Sequence, residues 1–421
     1  MGTFLFSLHM LKQEYKKCIV YILTLCLSIS AAFIFFHFID NPSLNTDKTM
    51  GYSFCSMLSF WIIAFCAFMI VFANNFYISR KTKDIAIMTI SGASFIKNTL
   101  YLCYQNIVMT MIAFPIGLLL GAIIIMILSA MIEGYTELFV LASQPFIDTV
   151  LCVLCILAAQ LFYASGFVYR KDIHFLLTQE KQNVSKDERL IRLPHAFYTW
   201  IYFLGLVILW TSDYSPSSAV VPCCFGALGI GGMIKYHFYD MIQWLKKKKY
   251  LGDKIKLISL SQLCSSLRCA YLLICVYAIS TCALIAVMMT QMNSAKELVI
   301  SAVGFFVVMI LLLISIVYKF IMEASTRKMF YYNLYKLGYS YHQLMKIIRQ
   351  EVFIFFLILI GFPMVYIVSS LLLAYQHQVI SMMFMIEIIV ISLILAIVCG
   401  LTTYFFYKND VLKVLNERRS L

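Results

Sequence analysis

The chain has 421 residues, of which 62% are hydrophobic and 13% charged, and its formal net charge is +13. Soluble domains run at about 45–50% apolar and about 25% charged residues, and several apolar runs here exceed the roughly 18 residues that mark a bilayer crossing, which excludes a soluble globular fold. The composition predicts an all-α polytopic membrane protein, because lipid tolerates only helices and closed barrels.

The positive charge does not point to nucleic acid. With the spans assigned below, every Lys and Arg except Lys48 and Lys296 falls on one side of the membrane. That bias places both termini in the cytoplasm, with contact to anionic lipid as a secondary gain.

Residues 1–17 read as an amphipathic helix for the inner interface, with Phe4, Leu5, Leu8 and Leu11 on one side and Lys12, Lys16 and Lys17 at its end. Ten spans follow, at 18–38, 52–76, 101–131, 147–169, 197–211, 219–244, 269–292, 297–322, 352–375 and 382–406. Pro115 and Pro363 lie inside spans three and nine as candidate hinges. Gly226, Gly229, Gly231 and Gly232 in span six leave two readings open, close helix packing or a loosened helix. Lys246 to Lys249 stop that span, and 251–267 is a second amphipathic interfacial piece. The charged segment 170–194 is a solvated cytoplasmic linker.

Chemistry is sparse. None of the 14 cysteines falls in an outer loop, so no disulfide framework is implied, and Cys152-x-x-Cys155 and Cys223-Cys224 read as packing residues. There is no phosphate-cradling glycine loop, no paired zinc ligands and no serine elbow, so the chain is expected to be a non-catalytic subunit without a metal, and any ATP is bound in trans. Glu387 is the only acid expected inside a span and a candidate in-membrane polar site, although it lies shallow enough to reach headgroups. The spans are expected to lack buried charge pairs, which disfavours an ion-coupled carrier.

The most patterned polar stretch follows span two: Arg80, Lys81 and Asp84 with Ile85 and Met88 on one helix face, broken at Gly92. A similar stretch follows span eight, with Arg327, Lys328, Phe330, Leu334, Leu337 and Gly338. Aligning Gly92 with Gly338 sets Met88 against Leu334, Ser94 against Ser340 and Gln105 against Glu351. Spans two to four and eight to ten therefore read as two copies of one unit, expected to be related by a pseudo-two-fold axis along the membrane normal. The resulting segments are 1–17, 18–51, 52–176 (first repeat), 177–250, 251–296 and 297–421 (second repeat and basic tail).

The run Arg80-x-x-x-Asp84-Ile85-Ala86-Ile87-Met88-x-x-x-Gly92-Ala93-Ser94 resembles the signature of FtsX-like permeases, with Asp84 where that family usually has Glu. The ten-span layout resembles the permeases of bacitracin-resistance-type ABC transporters in Gram-positive bacteria. That resemblance implies a bacterial cytoplasmic membrane protein on which an ABC ATPase homodimer docks, carrying the ATP and Mg, while this chain binds no cofactor. It implies a peptide or lipid-linked substrate and, as further partners, a sensor histidine kinase or an accessory extracellular subunit. The coupling contacts it implies are Arg80, Lys81, Asp84, Ile85, Met88 and Gly92, with Arg327, Lys328, Phe330, Leu334, Leu337 and Gly338 in the second copy. The family's large extracellular domain between spans seven and eight is replaced here by residues 293–296, so peptide capture by that domain is not implied. A second reading keeps the same helices in a signalling or scaffold subunit that regulates a kinase or a cell-wall hydrolase without moving a solute.

Overall fold

The computed structural model describes residues 2–13, 15–40, 54–131, 143–169, 195–211, 216–290, 295–377 and 380–417. The expected linker at 170–194, most of the outer connections and the basic pair Arg418-Arg419 lie outside the described residues. Among those described, all regular structure is helical. The chain divides into two units, Met1–Glu188 and Arg189–Leu421.

Unit 1 holds α1 (Thr3–Gln13), α2 (Tyr15–Asp40), α3 (Phe54–Arg80), α4 (Thr82–Ile90), α5 (Phe95–Met131) and α6 (Ser143–Tyr169). Unit 2 holds α7 (His195–Thr211), α8 (Pro216–Gly232), a π-helical turn (Met233–His237), α9 (Phe238–Lys248), α10 (Lys254–Thr290), α11 (Ala295–Lys336), α12 (Tyr341–Gln376) and α13 (Met382–Glu417). By length and composition seven helices among the described residues can cross a membrane: α2, α3, α5, α6, α11, α12 and α13. Helix also covers the three other expected spans. There α7 is apolar but shorter, α8 passes into the π turn, and α10 ends at Thr290.

One segment expected to lie apart is built into a longer element: from Lys254 on, the piece 251–267 is the start of α10, a single 37-residue helix. Its entrance is closed by Asp253, whose Oδ1 accepts from the Lys256 N–H at 3.3 Å. That bond holds the Asp253 carboxyl below its ordinary range. The N-terminal helix α1 packs on α5: Phe4 meets Tyr104 edge-on with centroids 5.3 Å apart, Phe6 lies against Tyr101, and Ser7 is buried.

In unit 1, α2 is the central helix and packs on α3, α5 and α6. Its seam with α5 depends on two glycines four residues apart. A Cβ on Gly117 would sit 2.8 Å from the Cys26 carbonyl oxygen, and one on Gly121 would sit 2.9 Å from the Phe33 ring and 3.2 Å from the Ser30 carbonyl oxygen. Small residues at this spacing let helix backbones approach closely in lipid, where dispersion replaces the hydrophobic drive.

Unit 2 repeats the core arrangement: α10 packs on α11 and α12, and α13 packs on both of those. The correspondence thus reaches one helix further back than the expected three-span repeat, because α10 takes the place that α2 has in unit 1.

The glycines of α8 resolve to close packing rather than loosening. Gly229 leaves no room for a Cβ against the Tyr202 backbone, 2.8 Å away, and the Tyr366 ring occupies the space a Cβ on Gly226 would take. The Tyr366 hydroxyl donates to the Tyr202 carbonyl at 2.6 Å, and the Tyr202 hydroxyl donates to the Phe362 carbonyl at 3.1 Å. These reciprocal bonds fasten α7 to α12. Tyr366→Phe keeps the ring and removes one bond, so it is expected to cost about 1 kcal/mol, read as a small fall in detergent melting temperature.

Candidate coupling site

Each unit places a short polar segment between two apolar helices. In unit 1 the segment lies between candidate spans Ser59–Ser79 and Phe95–Leu128, and in unit 2 between Ala302–Ile321 and Tyr341–Gln376.

Both segments end in the same turn. Gly92 has φ +85° and Gly338 has φ +93°, the left-handed region that suits glycine. The Ala93 N–H bonds the Met88 carbonyl at 2.9 Å and the Gly92 N–H bonds the Thr89 carbonyl at 3.0 Å. In unit 2 the Tyr339 N–H bonds Leu334 at 3.2 Å and the Gly338 N–H bonds Tyr335 at 3.1 Å. Both are Schellman caps, with Met88 and Leu334 at the same position. The next helix then starts one residue beyond a serine in each unit. Ser340 forms a capping box with Gln343, whereas the Ser94 carbonyl accepts from the Asn98 N–H at 3.1 Å. Neither glycine has atoms near a built Cβ, so Gly92→Ala or Gly338→Ala is expected to cost about 1–2 kcal/mol through the backbone alone. Thermal unfolding of the purified chain measures it.

The segments differ at their entrances. In unit 1 the helix breaks at Lys81, which has φ −79° and ψ 3°, and α4 restarts from there. In unit 2 no break occurs, and α11 runs 42 residues through span and segment together.

The break resets which side chains face outward. Ile85, expected as an apolar knob for a partner, is 1% exposed and belongs to the unit's own core. Met88 is half-buried, while Ile87 and Ile90 are 61% and 63% exposed and form the outward apolar surface of α4. Leu334 is likewise buried, and the exposed large apolar or aromatic side chains of its segment are Met329, Phe330, Tyr335 and Leu337.

The cations expected to orient a partner turn inward as well. The Lys81 side chain is buried, with its Nζ 3.1 Å from Asp84 Oδ2 and above the Tyr77 ring. Tyr101 donates to the same carboxylate oxygen at 3.4 Å, and Tyr77 donates to Gln105 Oε1 at 2.7 Å. Arg327 holds the matching register, since 92 − 81 and 338 − 327 are equal. It bonds Glu351 at 2.6 Å and pairs closely with Glu323, which also meets Lys319 at 2.8 Å. Ser266 donates to Glu351 at 2.6 Å, and Lys319 donates to the Ser266 carbonyl at 2.6 Å. The side chains of Arg80 and Lys328 lie outside the described set.

In this four-charge network Glu323 and Arg327 lie just past the expected span at 297–322, and Glu351 just before the one at 352–375. Glu387 is exposed on α13. A sequence signal existed: Lys319, Glu323 and Arg327 follow each other at i, i+4 spacing, and Glu351 sits opposite Gln105 in the repeat. The network holds two cations and two carboxylates. Burial pushes the Glu323 carboxyl up, but Arg327 and Lys319 outweigh it and hold the group below the ordinary carboxylate range. A depressed folded value contributes stability above the unfolded value, and that stability is lost as pH falls through the folded one. Unit 2 is therefore expected to weaken on acidification below the usual carboxylate range, which a pH series of melting temperatures checks.

Pro115 and Pro363 both sit inside continuous helices, exposed in α5 and buried in α12. Among the described residues no three His, Cys, Asp or Glu side chains converge to hold a metal.

With paired apolar helices, glycine-capped segments and buried anchoring charges established, the class follows. This is an all-α, multi-pass membrane protein, and its residues 56–173, from α3 through α6, match the FtsX-like permease C-terminal family. The chain is 24% identical over 213 residues to an uncharacterized ABC transporter permease of Bacillus subtilis, YvcS, an alignment that covers 48% of this chain and 32% of that protein. It is 23% identical over 217 residues to the bacitracin export permease protein BceB of the same organism, covering 50% of this chain and 33% of the relative. The alignments thus span about a third of the relatives' length.

Proposed function

We propose that this chain is the membrane subunit of an ABC transporter, on which a separate ATPase dimer docks through the segments ending at Gly92 and Gly338. The observation that carries the reading is the recurrence of one capped turn beneath two different sets of apolar helices, together with the FtsX-like match over the first. Exposed Ile87 and Ile90 lie beyond the apolar spans, where water contact is unfavourable. Met329, Phe330 and Leu337 offer the same in the second copy. Each such side chain, covered by a partner groove, contributes roughly 1.5–3 kcal/mol to docking. Gly92 and Gly338 end the docking helices, while Lys81 with Asp84, and Arg327 with Glu351, anchor them to the spans.

In this reading ATP and Mg reside in the partner, the two repeats pair about an axis along the membrane normal, and Pro115 and Pro363 serve as hinges. The substrate class is a peptide or lipid-linked molecule, by extension from BceB, a bacitracin export permease. The test replaces exposed knobs rather than core residues: Ile87→Asp with Ile90→Asp and Leu337→Asp, followed by co-purification from the native membrane. The variant is expected to insert and melt normally yet lose its ATPase. Undiminished co-purification of an ATPase overturns the docking assignment.

A further inference from the structure

The passage from α8 to α9 is not regular. Met233–His237 winds as a π turn, which accommodates an extra residue and rotates the side chains on either side of it relative to a continuous α-helix. As a result Lys235, Phe238 and Tyr239 face Cys264, Leu267 and Arg268 of α10 across a groove. Its floor is apolar, with Ile234, Ile242 and Leu267 all buried.

The rim carries cations held on aromatic faces. The Arg268 guanidinium lies 4.6 Å from the Tyr239 ring centroid, and the Lys235 Nζ lies 5.2 Å from that of Tyr236 and 5.6 Å from that of Tyr271. Stacking occupies one face of the guanidinium and leaves its edge donors for an anion. Arg268, Lys246 and Asp240 all act electrostatically on Cys264 in the groove wall. Burial holds the Lys246 ammonium below its ordinary range, a cost that a bound anion would offset.

The surroundings fix the depth. Trp244 and Met241 are exposed on α9, which ends in the lysines 246–249, and Leu228 is exposed on apolar α8. Exposed tryptophan beside a lysine cluster marks headgroup level at a membrane boundary. We propose that the groove between the π turn, α9 and α10 binds the phosphate of an anionic phospholipid, donated to by Arg268 and Lys235, with the acyl chains against α8. Clusters of this kind between helices suit lipid headgroups, whose phosphate needs donors above an apolar floor.

The full-length protein is purified in mild detergent and offered phosphatidylglycerol or phosphatidylcholine, and retained lipid is counted by native mass spectrometry. Wild type is expected to retain phosphatidylglycerol preferentially. Lys235→Gln with Arg268→Gln should lower its affinity on the order of 30-fold. The control Lys247→Gln with Lys249→Gln removes the same charge from exposed positions outside the groove and should change little. Equal retention of both lipids, or an equal loss in the control, overturns the proposal. So does displacement of phosphatidylglycerol by inorganic phosphate at low concentration, which would make the groove a site for soluble anions.

Discussion

Replacing Arg327 with alanine should cost unit 2 about 3–5 kcal/mol, seen as a large drop in melting temperature or as loss of the monodisperse peak in detergent. The reason lies in what it leaves behind. Glu351 is fully buried and takes Arg327 at 2.6 Å, while Glu323 is shared between Arg327 and Lys319. Deleting one cation strands carboxylate charge where water cannot reach it, and a stranded buried ion is far costlier than an absent pair. The partner experiment separates this from a packing loss. Arg327→Met combined with Glu351→Gln removes one charge of each sign and keeps the volume, so it should recover most of the stability. If the double variant is as unstable as Arg327→Ala, the charge argument fails and the guanidinium matters for its contacts alone.

Gly117→Leu should be nearly as damaging in unit 1, at about 3 kcal/mol. The obstacle is backbone: the first side-chain carbon already lies 2.8 Å from the Cys26 carbonyl oxygen, which cannot swing aside as a flexible side chain would. Helices α2 and α5 must move apart, and the seam at Gly121, Ser30 and Phe33 opens with them. Gly361→Leu in α12 is the matched control, because nothing lies near a Cβ there. Equal melting temperatures for the two variants would show that the α2–α5 seam has slack.

The parts of this structure written in local pattern were legible. Apolar runs located the helices, and Gly92 and Gly338 marked where the two segments end, because a left-handed residue is a property of one position. The inward and outward faces were not. Counting 3.6 residues per turn through Arg80 assumes an unbroken helix, and the break at Lys81 shifts the phase, so Ile85 turns inward and Ile87 outward. Lys81 and Arg327, expected to orient a partner, each close a buried contact whose acid lies elsewhere in the segment or on the next helix, which helix periodicity does not reveal. The π turn left no composition signal at all. The choice between packing and loosening that the α8 glycines left open is likewise settled only by their neighbours on other helices, such as Tyr202 and Tyr366.

The uncut course of α11 carries a mechanical corollary. A helix of 42 residues is a strut about 63 Å long, running without a break to Lys336. Under the proposed coupling, a load applied beside Leu337 passes along one continuous rod, whereas the matching segment of unit 1 has a joint at Lys81. On that proposal two arms built to one plan differ in compliance, one a crowbar and the other a jointed lever.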